Sequence, residues 1–410
     1  MQATSTRPGR RGAEHDSCAS ELARSRRRPL FTTTGKRSTS SRATLRLGTT
    51  RTETAVRASR ATPMLAAHLA HITAPSSPSM VVSCSRSTTT TKARSRSANM
   101  PLRIAVPDLI SNSYFPVEAA VELGYFKAEG IDAELELIFP VDKAYAALRD
   151  GKVDLVGGSA HSALSAFPEW NGVKLLCAQA QGMYWFLVMR ADLAATKNDL
   201  SIVRGRRIGA APWVDMGLRQ LLKECGIDIE RDNVEIAPVP GALTAGSNFG
   251  VAAAKALEEG KIDGFWANGM GTEVAVRRGV GTVVLDVRRG DGPKGCFDFT
   301  FASVAATDAF IKQSPDTTAG VIRAIVNTQC ALAQDSNRAT FVGKQLFPPS
   351  EAALIAELIR RDTPFYDASI SEQAVAGMNE FARKLGLLKG KPAFRDVVAT
   401  EFQHLWKRKN

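Results

Sequence analysis

Histidine and cysteine are both scarce in this chain of 410 residues. Only five histidines occur, and only His161 and His404 lie after residue 100, neither of them with a cysteine or a second histidine nearby. Because zinc sites need three or four nitrogen and sulfur ligands at short spacings, we predict no metal site. The four cysteines after residue 100 form no C-x-x-C pair, and their apolar and helical surroundings are typical of buried free thiols.

Motifs for covalent catalysis and nucleotide binding are missing too. The sequence has neither the G-x-S-x-G elbow of serine hydrolases nor a P-loop, and the run Gly269–Val274 fails the dinucleotide-binding pattern at its last position. No stretch approaches the roughly 18 consecutive apolar residues of a membrane-spanning helix. We therefore predict no catalytic residue, no cofactor and no membrane span.

Acidic residues are nearly absent from the first hundred positions, which hold 18 basic and four acidic side chains. That segment alone carries a charge of +14, whereas residues 101–410, with 35 basic and 37 acidic side chains, carry −2. The formal net charge of +12 therefore describes one segment of the chain. It gives no support for a nucleic-acid partner of the remainder.

The first hundred residues are rich in Arg, Ser and Thr, and Phe31 is their only aromatic residue. This composition buries too little apolar surface to offset chain entropy, so we predict residues 1–100 to be a disordered basic extension. Its charge resembles that of a targeting peptide, but it has no clean amphipathic period. A strand-like run follows Met100 directly, so Met100 is an alternative start of the protein. A nucleic-acid-binding arm is disfavoured, because no aromatic residues are interleaved for stacking on bases.

From residue 102 onward, short β-rich runs alternate with segments of helical period, which is typical of α/β units on a mainly parallel sheet. The predicted strands are 102–106, 133–139, 153–157, 173–178, 185–190, 207–211, 233–239, 263–267, 282–287 and 297–304. The predicted helices are 115–129, 141–150, 161–167, 214–225, 248–259 and 270–278, followed by a purely helical tail at 308–334, 350–361, 371–385 and 394–406.

One octad occurs twice, as Ala147–Asp154 and, 109 residues later, as Ala256–Asp263. Each copy reads as a helix end, a glycine in a left-handed cap and the entry to a buried strand. Each following strand ends in a loop of small residues, Gly157–Ala160 in one case and Asn268–Gly271 in the other. Ligands of open α/β sheets bind beyond the carboxyl ends of the strands, so we predict that these loops form the walls of a cleft between two similar lobes. Chance recurrence of a common helix–glycine–strand unit is the alternative.

Aromatic residues are few after residue 100, but they gather at predicted strand ends, where such a cleft would open. Flat side chains with a polar handle suit an aromatic or heterocyclic ligand. Polar residues at helix starts either cap the helix or receive a polar group of the ligand, and His161 either packs or contacts the ligand. The predicted ligand-binding residues are Asn112, Ser113, Tyr114, Ser159, His161, Tyr184, Trp185, Trp213, Asp215, Trp266, Asn268 and Met270.

Several segments in order resemble one known family. Leu123–Ile131 is similar to the G-Y-F-x-x-E-G-I helix end of NMT1/THI5-like substrate-binding proteins, and the similarity continues through Ala147–Leu155, Leu200–Gly209 and Ala256–Gly264. The order and spacing are specific for the family and not for a ligand. The resemblance covers essentially all of residues 101–385.

The resemblance implies a type II periplasmic-binding-protein fold, in which two α/β lobes joined by two crossing strands close over a small molecule. The first lobe would comprise residues 101–190 and 290–410, and the second lobe residues 191–289. The resemblance therefore predicts a protein that is not an enzyme. Members of the family deliver sulfonates, nitrate, pyrimidine precursors of thiamine or aromatic acids to an ABC permease. The resemblance therefore implies a small-molecule ligand, a permease partner, a monomer and a periplasmic location. A cytoplasmic location is the alternative, because no clear signal peptide is visible.

The chain departs from the family pattern at the start of the second lobe's first helix. Where relatives often carry a Gly-Ser/Thr pair, this chain has Pro212-Trp213-Val214-Asp215. Losing two hydroxyls and gaining a carboxylate disfavours a small sulfate-like anion and favours a larger, flatter ligand with a donor group. We therefore expect an aromatic, heterocyclic or carboxylated organic solute.

Two other functions remain open. One is a cytosolic enzyme of the same fold, in thiamine-pyrimidine or menaquinone-type biosynthesis, with His161 as acid or base. The cysteine-rich motif of the pyrimidine-synthesising branch is absent, which disfavours that chemistry. The other is a ligand-sensing domain. This function is disfavoured, because the first hundred residues show no DNA-binding helix-turn-helix.

Overall fold

The computed structural model of the protein describes residues 100–243 and 248–407. The predicted disordered extension, residues 1–100, lies outside the described residues except for Met100. In the part that is described, ten strands form two five-stranded sheets. The strands are β1 (Leu102–Val106), β2 (Ala133–Leu137), β3 (Leu155–Ser159), β4 (Val173–Ala180), β5 (Phe186–Arg190), β6 (Arg207–Ala210), β7 (Glu235–Ala237), β8 (Gly264–Ala267), β9 (Gly281–Asp286) and β10 (Ala302–Thr307).

The two sheets share one topology. In the first sheet, β2-β1-β3-β10-β4, the strand β1 pairs in parallel with β2 and β3, and β10 runs antiparallel between β3 and β4. In the second sheet, β7-β6-β8-β5-β9, the strand β6 pairs in parallel with β7 and β8, and β5 runs antiparallel between β8 and β9. The chain crosses between the sheets twice, from β4 to β5 and from β9 to β10. This confirms the predicted two-lobed α/β fold.

Strand β5 corrects one predicted limit of the lobes. The first lobe was predicted to extend to residue 190, but β5 forms its hydrogen bonds with β8 and β9 of the second sheet. The chain therefore crosses to the second sheet before Phe186, because β5 supplies the antiparallel strand that β10 supplies in the first sheet. The remaining limits of the two lobes stay a prediction.

Helices cover the sheets and form the C-terminal third of the described chain. The α-helices are α1 (Phe115–Glu122), α2 (Tyr125–Ala128), α3 (Val141–Arg149), α4 (Asp215–Glu224), α5 (Phe249–Glu258), α6 (Gly269–Arg277), α7 (Asp308–Gln313), α8 (Pro315–Gln334), α9 (Arg338–Leu346), α10 (Pro349–Ala352), α11 (Ile355–Asp362), α12 (Glu372–Lys384) and α13 (Phe394–Val397). Short 3₁₀ helices lie at Ala160–Ser165, Pro168–Trp170, Ala191–Leu193, Leu200–Val203, Val287–Arg289, Lys294–Phe299, Thr363–Phe365 and Thr400–Leu405.

Several segments differ from the predicted elements. The predicted helix 394–406 divides into α13 and the 3₁₀ helix Thr400–Leu405, because Val398 between them forms a bridge with Leu175. The predicted strand 297–304 starts at Ala302, because Phe299 lies in a 3₁₀ helix and stacks on Phe381 of α12 with ring centroids 4.5 Å apart. The predicted helix 161–167 is a 3₁₀ helix. Helix α9 was not predicted, and it contains Gly343, where a Cβ atom would lie 2.9 Å from Cγ2 of Ile355. Close packing against α11 therefore explains why a glycine stands at this position, although glycine has a low helix propensity.

The repeated octad occupies equivalent places in the two sheets. One copy leads into β3 and the other into β8, and Gly151 and Gly260 have φ angles of +69° and +68°. The backbone N–H of Arg103 donates to Asp154 at 2.9 Å, and the backbone N–H of Arg207 donates to Asp263 at 2.9 Å. The guanidinium groups of these arginines donate to the carbonyls of Gly151 (3.1 Å) and Gly260 (3.0 Å). These repeated contacts tie each glycine turn to the strand that pairs in parallel on both sides, β1 in one sheet and β6 in the other.

The C-terminal helices contact both sheets. Helix α8 packs on α1, α2 and β4, whereas α11 packs on α6 of the second lobe and on α9. Val398 forms a parallel bridge with Leu175, and the indole of Trp406 donates to the carbonyl of Leu176 at 2.9 Å, so the last described residues cover the free edge of β4. The predicted free thiols are confirmed for the four described cysteines, of which Cys225 is exposed and Cys330 half-buried.

Candidate functional site

A cleft opens between the two sheets at the carboxyl ends of their parallel strands. Its lining comes from the loops after β1, β2, β6 and β8, from the start of α5 and from the crossing between β4 and β5. The lining residues are Pro107, Asp108, Ser111, Ser113, Tyr114, Phe139, Val141, Tyr184, Trp185, Ala211, Pro212, Val214, Phe249, Ala267 and Asn268. The cleft therefore lies where the order of strands reverses, which is the usual ligand position in open α/β sheets.

Five of the twelve predicted ligand-binding residues line this cleft: Ser113, Tyr114, Tyr184, Trp185 and Asn268. The other seven, Asn112, Ser159, His161, Trp213, Asp215, Trp266 and Met270, lie behind the lining or beside it. Ligand contact remains a prediction for all twelve. The structure separates those that face the cleft from those that hold the facing residues in place.

Five of the fifteen residues that line the cleft are aromatic. Tyr114 and Tyr184 meet edge to face with centroids 5.8 Å apart, and their hydroxyls lie 2.9 Å from each other. Trp185 packs edge to face on Tyr184 at 5.1 Å, and Phe139 lies against Phe249 at 6.3 Å. The cavity volume of the cleft is about 40 Å³. The cleft is thus narrow, apolar and large enough for a small ring only when the walls move apart slightly.

Asp108 is the charged group of the cleft lining, and it joins the two lobes. It follows β1, and its carboxylate accepts hydrogen bonds from the side-chain amides of Asn248 and Asn268 (2.7 Å for Asn268), both in the second lobe. The backbone N–H of Ile110 donates to it as well, at 3.1 Å. Burial raises the pKa of Asp108 to about 7, although these three hydrogen bonds favour the ionised form.

The two asparagines that bind Asp108 are also helix caps. Oδ1 of Asn268 accepts from the backbone N–H groups of Met270 (3.0 Å) and Gly271 (3.1 Å) at the start of α6. Oδ1 of Asn248 accepts from the backbone N–H of Val251 at 2.8 Å at the start of α5. Each amide therefore caps a helix with its oxygen and donates to Asp108 with its nitrogen.

His161 lies behind the aromatic wall and is fully buried. Its Nε2 lies 3.3 Å from the carbonyl oxygen of Trp213 in the second lobe, and its Nδ1 lies 2.9 Å from the hydroxyl of Thr300. A carbonyl only accepts, so Nε2 carries the proton, and Nδ1 accepts from Thr300. Burial lowers the pKa of His161 to about 4, so the ring is neutral near pH 7. Both ring nitrogens are engaged within the protein.

The turn after β6 carries two predicted residues whose side chains are held by the protein. Trp213 adopts a φ angle of +70°, an uncommon backbone conformation for a residue with a large side chain. The turn is held by His161 and by the indole of Trp266, which donates to the carbonyl of Val214 at 3.1 Å. Asp215 accepts from Arg219 at 2.7 Å, one helical turn further along α4. The carboxylate of Asp215 is thus paired within its own helix.

The remaining predicted residues are buried close to the lining. The hydroxyl of Ser159 lies 2.6 Å from that of Ser162, and Met270 packs in the core around α5 and α6. The amide of Asn112 donates to Asp362 at 2.6 Å and lies against Gly269, where a Cβ atom would approach Nδ2 of Asn112 to 2.8 Å. The hydroxyl of Ser113, by contrast, is buried in the cleft lining without a hydrogen-bond partner.

A buried ion pair lies beneath Tyr184. The guanidinium of Arg288 lies 3.3 Å from the carboxylate of Asp362 and 5.4 Å from the centre of the Tyr184 ring. Arg289 adds a second contact to Asp362, at 2.8 Å. Because Arg288 and Arg289 belong to the segment that leads back from the second sheet to the first, this pair anchors the crossing segment to the end of α11.

Sequence reasoning missed Asp108, Asn248, Phe139 and Phe249. Asp108 could have been recognised from the sequence, because it lies two residues after a predicted parallel strand, at the end where ligands of open α/β sheets bind. Asn248 is the first residue of the predicted helix 248–259, a position that indicated a cap and not a link to the other lobe. The two phenylalanines stand in ordinary apolar runs, and only the fold places them opposite each other.

Among the described residues, no group of three or more His, Cys, Asp or Glu side chains is arranged to hold a metal ion. Within those same residues, no helix is long and apolar enough to cross a membrane.

Solved structures with the same fold include binding proteins and an enzyme. A protein from Bordetella bronchiseptica RB50 has a TM-score of 0.59 and 20% sequence identity, covering 74% of this chain and 96% of its own. The alkanesulfonate-binding protein SsuA from Xanthomonas axonopodis pv. citri, bound to MOPS, has a TM-score of 0.54 and 14% identity, with 74% and 97% covered. The desulfurization enzyme DszB has a TM-score of 0.52 and 15% identity, with 74% and 97% covered. At these identities the similarity shows a shared fold.

The NMT1/THI5-like family profile matches residues 112–338, which is more than half of the chain. The protein therefore belongs to the NMT1/THI5-like family, as the sequence resemblance indicated. No curated protein matches the chain.

Proposed function

We propose that this protein is the solute-binding protein of an ABC importer and that it binds a small aromatic or heterocyclic molecule in the cleft between its two sheets. The observation that carries the proposal is the cleft itself, which has aromatic walls, one carboxylate and one unpartnered hydroxyl, Ser113. A flat ligand between Tyr184, Phe139 and Phe249 would gain ring contacts on more than one side. Family membership and fold support a binding role, and on that basis we propose a periplasmic location and a permease partner.

The two crossings between the sheets provide the hinge of the proposed mechanism. Rotation about them would open the cleft without breaking either sheet, because all strand pairs lie within one sheet or the other. A ligand favours the closed arrangement only through contacts that it makes with both lobes at once. Tyr114 and Phe139 would supply contacts from the first lobe, and Phe249 and Asn268 from the second.

An enzymatic role on the same fold receives less support from the site. The predicted acid or base, His161, does not line the cleft, and both of its ring nitrogens are hydrogen-bonded within the protein. Its lowered pKa leaves it neutral at physiological pH and a weak base. DszB shows that the fold also occurs in an enzyme, so the experiment below includes a check for turnover.

Thermal and chemical unfolding of the full chain with a panel of aromatic acids, aryl sulfonates, aminopyrimidines and aromatic amines tests the proposal. A ligand at 100 times its Kd should raise the unfolding free energy by about 2.7 kcal/mol. Phe249→Ala, which removes a cleft wall, should weaken the effect of the same compound at least several-fold. Phe341→Ala is the control, since Phe341 is exposed on α9 outside the lining.

Two results would contradict the proposed function. A panel without any stabilising compound would exclude an aromatic solute site. Chemical conversion of a bound compound, followed by chromatography and lost in Asp108→Asn, would show that the cleft is an active site and not a transport site.

A further inference from the structure

The polar chemistry of the cleft is one-sided, because its lining contains one half-buried carboxylate and no basic side chain. Among the described residues that line the cleft, Asp108 is the one ionisable group other than two tyrosines, and no Lys, Arg or His accompanies it. Its partners are two side-chain amides and one backbone N–H. All three are neutral donors, so none of them supplies a countercharge.

This arrangement leaves the carboxylate of Asp108 able to accept one further hydrogen bond. An ionised carboxylate has about four acceptor positions, and the described hydrogen bonds use three of them. An ionised carboxylate without a positive partner is costly in an apolar site, which is the cause of its raised pKa. A positive or strongly donating group placed beside Asp108 would relieve that cost.

We propose that Asp108 determines ligand class by accepting a hydrogen bond from a cationic or N–H-bearing nitrogen of the ligand. The favoured ligands are then aromatic amines, amidines and amino-substituted heterocycles, and aromatic carboxylates and sulfonates are disfavoured. The inference rests on the proposed function, because it concerns the same cleft. It also transfers to Asp108 the selective role that the sequence suggested for Asp215, whose carboxylate is paired with Arg219.

Asp108 further connects recognition to closure. The carboxylate belongs to the first lobe, while Asn248 and Asn268 belong to the second, so the three side chains meet across the cleft. A donor nitrogen at Asp108 would lie beside these amides and bind only where the lobes are close together. An anionic ligand group in the same place would face like charge, and it would draw the amide donors away from Asp108.

Three compounds of nearly equal shape test the inference: benzamidine, benzamide and benzoate. Their binding to the full chain is measured at pH 8 by calorimetry and by thermal shift. Benzamidine should bind at least tenfold more tightly than benzamide, and benzoate should bind most weakly. In Asp108→Asn the preference for benzamidine over benzamide should disappear. Asp192→Asn is the matched control and should keep the wild-type order, because Asp192 is largely exposed, pairs with Arg190 and does not line the cleft.

The pH dependence of binding gives a readout that needs no variant. Benzamidine stays charged between pH 5 and 8, so its affinity should rise about tenfold per unit as Asp108 ionises and should level off above pH 7. The titratable neighbours of Asp108 are Tyr114 and Glu118, and burial raises the pKa of both side chains. Benzamide should show no such rise.

The outcomes separate the inference from the proposed function. Tight binding of benzoate, or of aryl sulfonates, with weaker binding of benzamidine would overturn the role of Asp108 and leave an aromatic-binding protein. An affinity for benzamidine that does not change with pH would overturn it as well. Failure of all three compounds, together with the larger aromatic panel, would contradict both.

Discussion

Two titratable side chains, the half-buried Asp108 and the fully buried His161, link the lobes in chemically opposite ways. Asp108 accepts hydrogen bonds from the second lobe, and burial raises its pKa to about 7. His161 donates to the second lobe through Nε2, and burial lowers its pKa to about 4. In both cases the protein interior favours the uncharged form. The histidine is a structural contact behind the cleft wall, whereas the carboxylate faces the cleft.

The lowered pKa of His161 predicts how stability depends on pH. A folded-state pKa below the unfolded value of 6.5 means that the unfolded chain binds the proton more tightly. The contribution to stability is therefore present above pH 6.5 and is lost as the pH falls toward 4, by about 3 kcal/mol in all. Urea unfolding at pH 7, 6 and 5 should show this loss in the wild type and a shallower one in His161→Gln.

The glutamine side chain in His161→Gln would keep a donor for Trp213 and an acceptor for Thr300 without titrating, so the difference in slope reports the ionisation alone. His404→Gln is the control, because His404 is exposed and should leave the wild-type slope unchanged. A His161→Gln protein with the wild-type slope would show that His161 is not the neutral, buried group described above.

The elements that join the lobes are the crossing segments and the C-terminal helices. The 3₁₀ helix Val287–Arg289 begins the return crossing, and its Arg288 is buried against Asp362 at the end of α11. Asn112 and Arg289 also bind Asp362, so one carboxylate holds the loop after β1, the crossing segment and α11 together. A buried arginine depends strongly on such a partner, because removing the carboxylate leaves its charge uncompensated.

Asp362→Asn should therefore lower the unfolding free energy by about 3 kcal/mol, measured by urea unfolding at pH 7. Asp192→Asn is the matched control. Asp192 also pairs with an arginine, Arg190, at 2.7 Å, but it is largely exposed, and its loss should have little effect. If both substitutions lowered the unfolding free energy equally, the buried arginine would not depend on Asp362 as its partner.

For the molecule as a whole, two ion pairs join α6 to α11 and would resist the proposed opening of the cleft. Glu273 and Arg277 of α6 contact Arg361 and Glu357 of α11, each at 2.5 Å. Helix α6 starts at Asn268 on the cleft, and α11 ends at Asp362 beside the crossing segment. The C-terminal helices thus hold the second lobe as well as the first, and a rotation of the lobes would strain these contacts.

Glu273→Gln should shift the ligand-free protein toward open arrangements. The radius of gyration from small-angle X-ray scattering should rise, and ligand affinity should weaken about threefold, because the ligand must then also supply the energy of closure. Saturating ligand should restore the wild-type radius. Glu258→Gln is the control, since its partner Arg278 belongs to the same lobe. No change in the radius would mean that these pairs do not limit opening.

Much of the fold could be predicted from the sequence, because period and turn residues are local signals. The strand-forming runs, the helical tail and the repeated octad all appear in the structure, and the octad even predicts equivalent positions in the two sheets. The exceptions have tertiary causes. Gly343 fits a helix because α11 approaches it closely, and Phe299 leaves the predicted strand because it stacks on Phe381.

The cleft was predictable in position and less so in detail. Strand ends located Ser113, Tyr114, Tyr184, Trp185 and Asn268 at its lining. The sequence alone could not show that Asp215 pairs with Arg219 or that Asp108 meets Asn248 and Asn268, residues 140 and 160 positions away. Such contacts depend on how two separately formed sheets face each other, which no local pattern encodes.

The sequence by itself thus determined the family, the two-lobed architecture and the general position of the cleft. The signals were the period of the hydrophobic residues, the residues at turns and the order of the motifs. The tertiary structure decided which side chains face the cleft, and hence that its carboxylate is Asp108. The physical reason is that burial and partners set the chemistry of a charged group. A carboxylate paired with its own helix is satisfied, and one held only by amides between two lobes remains open to a donor from the ligand.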